Sequence, residues 1–398
     1  MNFPIVKGHK QSIYKVTLAA FLCLFLYGFI DNLKGATLPY LLADLHYSYS
    51  QGGAIQQGAY FGFLASTLLT GFLIQRFTHH QILLVAAVCT IAGILTFSVF
   101  HQFTILLLSM VIIGLGLGFL DLIGVRLIVD FCKQDTGRLL NLTAFFHGLA
   151  SMIAPLFSGL VLSAGFHWEN VYHFGLIFTL APFAIILLIH FPTVEKPSAN
   201  TVSENGQILI ALRERKAWLY YILIMSYETI EIGFAVWISE FLQSTRAQSA
   251  SFGFSFLSLF FFFIMLGRLL GSFFVEYLGY LRMLLLASIG AAFCLTLGIF
   301  GSDTLIFFLP LTGLFLSTIF PTATAAASED LRGTADMSLS LFFTFAGLGG
   351  MIGSWAVGAI ADLVGMTLGF SLFILMALNI AAMTSLSILR RKNIIIDG

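Results

Sequence analysis

The sequence predicts an all-α membrane protein of twelve transmembrane helices, arranged as two six-helix halves with both termini in the cytoplasm. Three observations support this prediction: the composition, the spacing of the apolar segments and the distribution of loop charges. Of the 398 residues, 59% are hydrophobic and only 10% are charged, and the mean hydropathy is +0.97. Soluble domains carry about 25% charged residues. The composition therefore excludes an ordinary soluble enzyme.

Twelve apolar segments follow one another along the chain, separated by polar residues, glycine and proline. A helix needs about 20 apolar residues to cross a bilayer, so twelve spans fit the length with short loops. The first segment follows Lys7, Lys10 and Lys15, but no small-residue cleavage site comes after it, so we interpret it as a retained span. The predicted spans lie near residues 16–43, 52–74, 82–100, 103–129, 139–164, 171–191, 217–242, 252–275, 282–300, 304–327, 337–362 and 367–389.

One long hydrophilic stretch, from Phe191 to Lys216, interrupts the apolar pattern. It contains two prolines and most of the loop charge in the interior of the sequence. We therefore predict an amino-terminal six-helix bundle over residues 1–192, a cytoplasmic linker over 193–216 and a carboxy-terminal six-helix bundle over 217–398.

The loop charges predict the orientation, because loops rich in lysine and arginine stay in the cytoplasm. With both termini inside, Arg246 is the one lysine or arginine in an outside loop. The inside segments contain Lys7, Lys10, Lys15, Arg76, Lys133, Arg138, Lys196, Arg213, Arg215, Lys216, Arg282, Arg332, Arg390, Arg391 and Lys392. If one span had been missed, the lysine and arginine residues would be distributed over both sides of the membrane. Their concentration on the inside therefore favours an even number of spans.

Several function classes are not expected. The formal net charge is zero and no long basic or acidic run is present, so no nucleic-acid partner is indicated. The four cysteines lack the CxxC or Cys/His spacing of a metal site, and we predict no metal and no cofactor. No motif for a nucleophile or a phosphate stands out, so we do not expect an enzyme.

The two halves resemble each other at equivalent places. Gly71 and Arg76, at the end of the second span, have counterparts in Gly271 and Glu276 at the end of the eighth. Many transporters are built from internal repeats of this kind. We predict gating or structural roles for Gly71, Arg76 and Glu276.

The segment from Gly71 to Arg76 also resembles the loop motif that follows the second span in the major facilitator superfamily. An acidic residue normally precedes the arginine of that motif, whereas Gln75 stands there in this chain. The resemblance implies the major facilitator fold, but this departure weakens the expectation of the usual gating salt bridge.

Within that superfamily, the sequence is similar to the fucose/proton symporter group and related sugar carriers. The first span has Asp31 followed by Gly and Leu-Pro, the fourth has a Gly-Leu-Gly-Leu-Gly run before Asp121, and the seventh has Tyr227-Glu228. The resemblance implies alternating access around a central cavity lined by the first, fourth, seventh and tenth helices.

Ionisable residues inside the apolar spans are candidates for function, because a charge at a helix centre costs about 2.5 to 3.5 kcal/mol. Asp31 and Lys34 of the first span are three residues apart and therefore share a helical face. Asp121 and Arg126 lie on the fourth span. Each pair can be neutral within the amino-terminal half, and a purely structural role for such pairs is the alternative.

The seventh span differs, because Glu228 and Glu231 are three residues apart and the span carries no basic residue. Two carboxyl groups in a low-dielectric site cannot both ionise cheaply, so we expect at least one to be protonated near neutral pH. We predict proton coupling at Glu228, Glu231, Asp31 and Asp121, with sodium as an alternative coupling ion. We interpret Arg268 as structural, because it lies near the cytoplasmic end of its span, and we place Lys34 with it.

Polar and aromatic residues on the same spans are candidates for binding a small polar solute, since such sites combine apolar walls with a few placed polar groups. For His147, a helix–helix hydrogen bond is the alternative. The predicted substrate-binding residues are Tyr27, Asn32, Gln56, Gln57, Arg126, Asn141, His147, Tyr227, Trp237 and Trp355.

The leading hypothesis is proton-coupled symport of a small polar solute, a sugar, through alternating access. One alternative is a proton-coupled antiporter that exports a drug or metabolite, and another is a non-transporting receptor or scaffold. We expect a monomeric multi-pass protein of a bacterial inner (plasma) membrane, whose partners are its solute, a proton or sodium ion and the lipid bilayer.

Overall fold

The computed structural model describes residues 7–132, 136–189, 191, 212–331 and 335–397, and within these ranges the regular secondary structure is helical throughout. Of the predicted linker, only residues 212–216 fall within the described part of the chain.

The helices follow the apolar segments of the sequence. Their bounds are α1 Lys7–Leu45, α2 Tyr49–Arg76, α3 His79–Val99, α4 Phe103–Phe131, α5 Thr136–Ser163, α6 Trp168–Leu188, α7 Arg215–Arg246, α8 Ala250–Leu278, α9 Tyr280–Phe300, a 3-10 turn Asp303–Phe307 that leads into α10a Phe308–Leu316, α10b Ile319–Asp330, α11 Ala335–Val364 and α12 Met366–Asp397.

Eleven helical segments of the described residues are long and apolar enough to cross a membrane. Helix α2 has 28 residues but is not among the eleven, and its first half contains Gln51, Gln56 and Gln57 together with several glycines. The chain is thus an all-helical, multi-pass membrane protein. A twelfth span in α2 and the cytoplasmic position of both termini stay predictions.

The tenth predicted span, near 304–327, consists of two helices rather than one. Helix α10a ends at Leu316 and α10b begins at Ile319. Pro321 has no N–H to donate to the carbonyl one turn before it, and the Ser317 hydroxyl bonds the Leu314 carbonyl at 2.7 Å. Both features weaken the helical hydrogen-bond ladder at the break.

The chain divides into two compact units. The first unit comprises Met1–Tyr40 and Gly58–Ser198, and the second comprises Leu41–Gln57 and Ala199–Gly398. The end of α1 and the beginning of α2 therefore group with the second unit, although the sequence analysis placed them in the amino-terminal bundle.

Within the first unit, the glycine run of α4 lies where this helix crosses its neighbours. A Cβ atom on Gly114 would lie 1.8 Å from the carbonyl oxygen of Ala59 in α2. One on Gly116 would lie 2.2 Å from Oγ1 of Thr90 in α3, and one on Gly118 would meet a serine of α2. Membrane helices approach this closely only where small residues meet. The glycine run of α4 therefore allows this helix to pack closely against its neighbours.

In the second unit, Arg246 is bound at the carboxyl end of α9. Its Nη2 atom donates to the carbonyls of Gly298 at 3.3 Å, Ile299 at 2.6 Å and Gly301 at 3.0 Å, and its Nη1 atom lies 3.5 Å from Asp303. A cation at this end complements the helix dipole. This structural role accounts for the one exception in the loop-charge count.

We predict that Gly114→Ala destabilises the protein by about 1–3 kcal/mol, because the new methyl group would overlap a backbone carbonyl that cannot move independently. Gly175→Ala in α6 is the matched control, since the nearest atom to its Cβ would be the flexible end of Leu33 at 3.1 Å and the other neighbours lie at ordinary contact distances. Thermal unfolding of the purified variants in detergent measures the effect. Equal midpoints for the two variants would contradict the assigned crossing of α2 and α4.

Candidate functional site

Asp31 and Lys34 form an ion pair on the buried face of α1. The Lys34 ammonium contacts the Asp31 carboxylate directly, and the two side chains are 5% and 14% exposed. The Tyr60 hydroxyl of α2 donates to the other Asp31 oxygen at 3.3 Å. The Lys34 ammonium also lies 3.9 Å from the centroid of the Tyr60 ring, a cation–π contact. The pairing that the spacing predicts is therefore present, and the three side chains form a cluster of zero net charge.

A small cavity in the first unit adjoins this pair. Helix α4 contributes only apolar side chains to it, whereas Tyr172 of α6 contributes an aromatic ring whose hydroxyl bonds the Thr37 hydroxyl at 3.0 Å. The ion pair thus lies at the edge of a pocket of low polarity. The lining residues are Ile30, Asp31, Lys34, Ala59, Met110, Ile113, Leu117 and Tyr172.

Three predicted substrate-binding residues come together where α1 crosses α5. The Asn32 amide donates to the Gly28 carbonyl at 2.9 Å and to the Ser151 hydroxyl at 3.0 Å. The Tyr27 and His147 rings lie 4.7 Å apart. A Cβ atom on Gly28 would lie 2.4 Å from the His147 carbonyl oxygen, so the two backbones are in contact there. Asn32 and His147 therefore both take part in the α1–α5 contact.

The charges of α4 are arranged differently from those of α1. Among the ion pairs of the described residues, none joins Asp121 to Arg126, because residues five apart lie on different faces of a helix. Asp121 is partly buried near Cys23 of α1, and Arg126 is exposed. Asp130, one turn beyond Arg126, lies 3.2 Å from a ring nitrogen of His79 in α3.

In the second unit, Arg268 of α8 lies near the carboxyl groups of Glu228 and Glu231. The Tyr227 hydroxyl donates to the Glu231 carboxylate on the same helix. Arg268 of α8 interacts electrostatically with both carboxyl groups. The sequence indicates no cation for these glutamates because α7 carries none in this region, and Arg268 was expected to be structural. Among the ion pairs of the described residues, none joins Arg268 to either glutamate, so the cluster holds two acids and one nearby base from a neighbouring helix.

The beginning of α2 packs on α7 within the second unit. Trp237 of α7 is fully buried, and its indole N–H donates to the Ser354 carbonyl of α11 at 2.9 Å. The Tyr49 ring lies edge-on to the Trp237 ring at 6.1 Å, and the Tyr49 hydroxyl interacts electrostatically with the Glu240 carboxyl group. Glu240 is not among the site residues predicted from the sequence, although a carboxyl group inside the predicted span 217–242 was a visible signal.

Asp362 of α11 holds the first turn of α2. Its carboxylate accepts hydrogen bonds from the backbone N–H groups of Tyr49 at 3.0 Å and Ser50 at 2.7 Å, and from the Ser50 hydroxyl at 2.5 Å. A carboxylate at this position caps the helix and complements its dipole. A Cβ atom on Gly358 would lie 2.3 Å from the Tyr49 carbonyl oxygen, so the backbones touch. We call this contact the α2 seam, comprising Tyr49, Ser50, Trp237, Glu240 and Asp362.

Gln56 of α2 is a predicted site residue whose side-chain amide lacks hydrogen-bond partners in the described part of the chain. It is 0% exposed, and neither atom of its amide group has a hydrogen-bond partner among the described residues. A buried polar group without a partner costs about 1–3 kcal/mol. Gln56 therefore has unused hydrogen-bonding capacity in this conformation.

The remaining predicted residues lie apart from these clusters. Gln57 is partly buried, whereas Arg76, Asn141 and Trp355 are exposed. The surroundings of Gly71 and of the Glu276 side chain lie outside what the structure describes. The roles assigned to these residues stay predictions.

The chain is similar in sequence and in fold to known membrane transporters. The chain is 24% identical over 390 residues to the glucose/galactose transporter of Brucella abortus, and the match covers 93% of each chain. Its fold is similar to that of the nucleoside transporter NupG, with a TM-score of 0.77, 13% identity and coverage of 94% of this chain and 98% of the other. It is also similar to the Escherichia coli fucose:proton symporter FucP, with a TM-score of 0.65, 18% identity and coverage of 94% and 99%.

The family itself follows from the sequence match. Residues 20–257, more than half of the chain, match the sequence model of the Major Facilitator Superfamily. The helical, multi-pass architecture agrees with this match. The chain therefore belongs to the Major Facilitator Superfamily and is a membrane transporter rather than an enzyme.

Proposed function

We propose that the protein transports a sugar by proton-coupled symport through alternating access. The names of two similar proteins, a glucose/galactose transporter and a fucose:proton symporter, support the substrate class. The observation that carries the coupling is the cluster of two carboxyl groups and one guanidinium group formed by α7 and α8.

The charge of this cluster makes it a proton site. With both glutamates ionised and Arg268 charged, the cluster has a net charge of −1, and such a charge inside a membrane protein is costly. One proton makes it neutral. Glu231 already accepts a hydrogen bond from Tyr227, which favours its ionised form. We therefore assign the exchanged proton to Glu228 and the negative charge that Arg268 compensates to Glu231.

Gln56 is our leading candidate for recognising the sugar. Sugars present many hydroxyl groups, and each can donate and accept hydrogen bonds. An amide that is buried without a partner in one conformation gains most from a hydroxyl-rich ligand in another. Tyr27, Asn32 and His147 stay candidates, but the Asn32 amide would first have to release its bonds to Gly28 and Ser151.

The α2 seam is our candidate for the contact that opens and closes in the cycle. Its residues lie at the ends of α7 and α11 and at the beginning of α2, on the side that the loop charges predict to be external. Alternating access requires contacts on each side of the membrane to form and break in turn. The α2 seam is held closed by two carboxyl groups, by an aromatic pair and by direct backbone contact.

We predict that purified protein in liposomes moves protons together with a sugar, and that Glu228→Gln abolishes uphill accumulation while sugar exchange continues near the wild-type rate. Neutral glutamine mimics the permanently protonated carboxyl group. The measurement is solute-dependent proton flux across a panel of hexoses, 6-deoxyhexoses and nucleosides.

Glu329→Gln is the control for this test, because it changes an exposed carboxyl group at the end of α10b. Proton movement opposite to the solute would favour the antiporter instead. Absence of proton movement with every solute, or uphill transport retained by Glu228→Gln, would contradict the proposed coupling.

For the α2 seam, we predict that Asp362→Ala removes about 0.5–2 kcal/mol of closed-state stability, the usual cost of losing a helix cap. Spin labels at Gln51 and Leu363, in a background without the native cysteines, report the separation of α2 from α11. The variant should populate longer distances than the wild type. Asp303→Ala, which changes an exposed carboxylate outside the seam, should leave the distribution unchanged. An unaltered distribution in Asp362→Ala would exclude the carboxylate as a latch.

A further inference from the structure

Lys34 is a buried cation that the proposed proton site does not use. The residue is 4% exposed, yet a lysine at the centre of an apolar span costs about 2.5 to 3.5 kcal/mol by insertion scales. Its ammonium has two partners, the Asp31 carboxylate and the face of the Tyr60 ring. Such a residue needs a reason to be there that packing alone does not supply, because a methionine fills a similar space at less cost.

The surroundings of the pair offer no other charge. Among the described residues, the titratable groups that face it are Tyr60 from α2 and Tyr172 from α6, whereas α4 presents apolar side chains towards the cavity. Within the part of the chain that the structure describes, Asp31 is the charged group that interacts with Lys34. Among the described residues, the charges of Asp31 and Lys34 therefore neutralise each other.

We propose that Lys34 is a permanent counter-ion of Asp31. It takes the place of the proton or sodium ion that this carboxylate would bind from solution in a coupled carrier. Asp31 is then neither a proton site nor a sodium site. This inference rests on the proposed transport function and refines it, because coupling is left to the Glu228, Glu231 and Arg268 cluster of the second unit.

The geometry gives this role a physical basis. A carboxylate in a site of low polarity needs a positive partner or a proton. Lys34 is tethered one helical turn away, so it competes with any ion from solution at a high effective concentration. The ring of Tyr60 binds the ammonium while its hydroxyl binds the carboxylate, so the same side chain holds both members in place.

The Lys34→Met variant would lack the counter-ion of Asp31. Methionine keeps much of the aliphatic volume but removes the charge, which leaves Asp31 as an unpaired buried carboxylate. Such a group becomes neutral by taking a proton from solution. The substitution should thus create a second proton site in the protein, and Lys34→Met/Asp31→Asn should remove that site again.

Infrared spectroscopy of the purified protein tests the pairing without any substrate. The double variant is the reference, because Asp31→Asn alone would leave Lys34 unpaired. We expect the wild type to show no protonated-carboxyl band beyond those of the double variant at neutral pH, and Lys34→Met to show one additional band. A protonated-carboxyl band present in the wild type and absent from the double variant would overturn the proposal, and this comparison does not require the single variant to fold.

Transport in liposomes tests the consequence for coupling. The number of protons moved per solute should rise by about one in Lys34→Met and return to the wild-type ratio in the double variant. Lys216→Met, which removes an exposed lysine at the start of α7, should leave the ratio unchanged. An unchanged ratio in Lys34→Met would overturn the proposal. If the wild type moves no solute, the proposed function fails, whereas the infrared comparison still decides the role of Lys34.

Discussion

The neutralisation of charge inside the membrane-spanning helices is the interaction on which the functional part of this structure depends. A charged side chain that faces neither water nor a partner is too costly to keep, so every buried acid defines the position of a base, a hydroxyl group or a proton. In the first unit, α1 alone supplies both members of the pair, Asp31 and Lys34. In the second unit, α7 supplies the acids and α8 supplies Arg268. The first arrangement is balanced, whereas the second has one acid in excess.

This difference separates the two units by role. A balanced pair on one helix keeps its charges together when the helix moves as a body. A cluster divided between two helices responds both to a proton and to any relative displacement of those helices, which is the property that couples protonation to conformation. The roles proposed for Glu228 and Lys34 depend on each other, since the permanent cation beside Asp31 leaves the exchangeable positive charge to the other unit.

Close backbone contacts between helices are the second feature on which the structure depends. The glycines of α4 let it touch α2 and α3, and Gly358 lets α11 touch the beginning of α2. Contacts of this kind gain dispersion energy without long side chains, so they can separate without many rotamer changes. In the α2 seam they combine with the helix cap from Asp362, which fixes the register of the contact.

The sequence by itself determined the class of protein, the positions of the apolar helices and the Asp31–Lys34 pair, because apolar length and helical periodicity are local properties of the chain. It did not show the break between α10a and α10b, the assignment of Leu41–Gln57 to the second unit, the partner of Asp130 or the role of Asp362. Each of these depends on which helices are neighbours. Only the tertiary structure placed Arg268 near two glutamates of another helix, since residues about 40 positions apart are brought together by packing and not by helical periodicity.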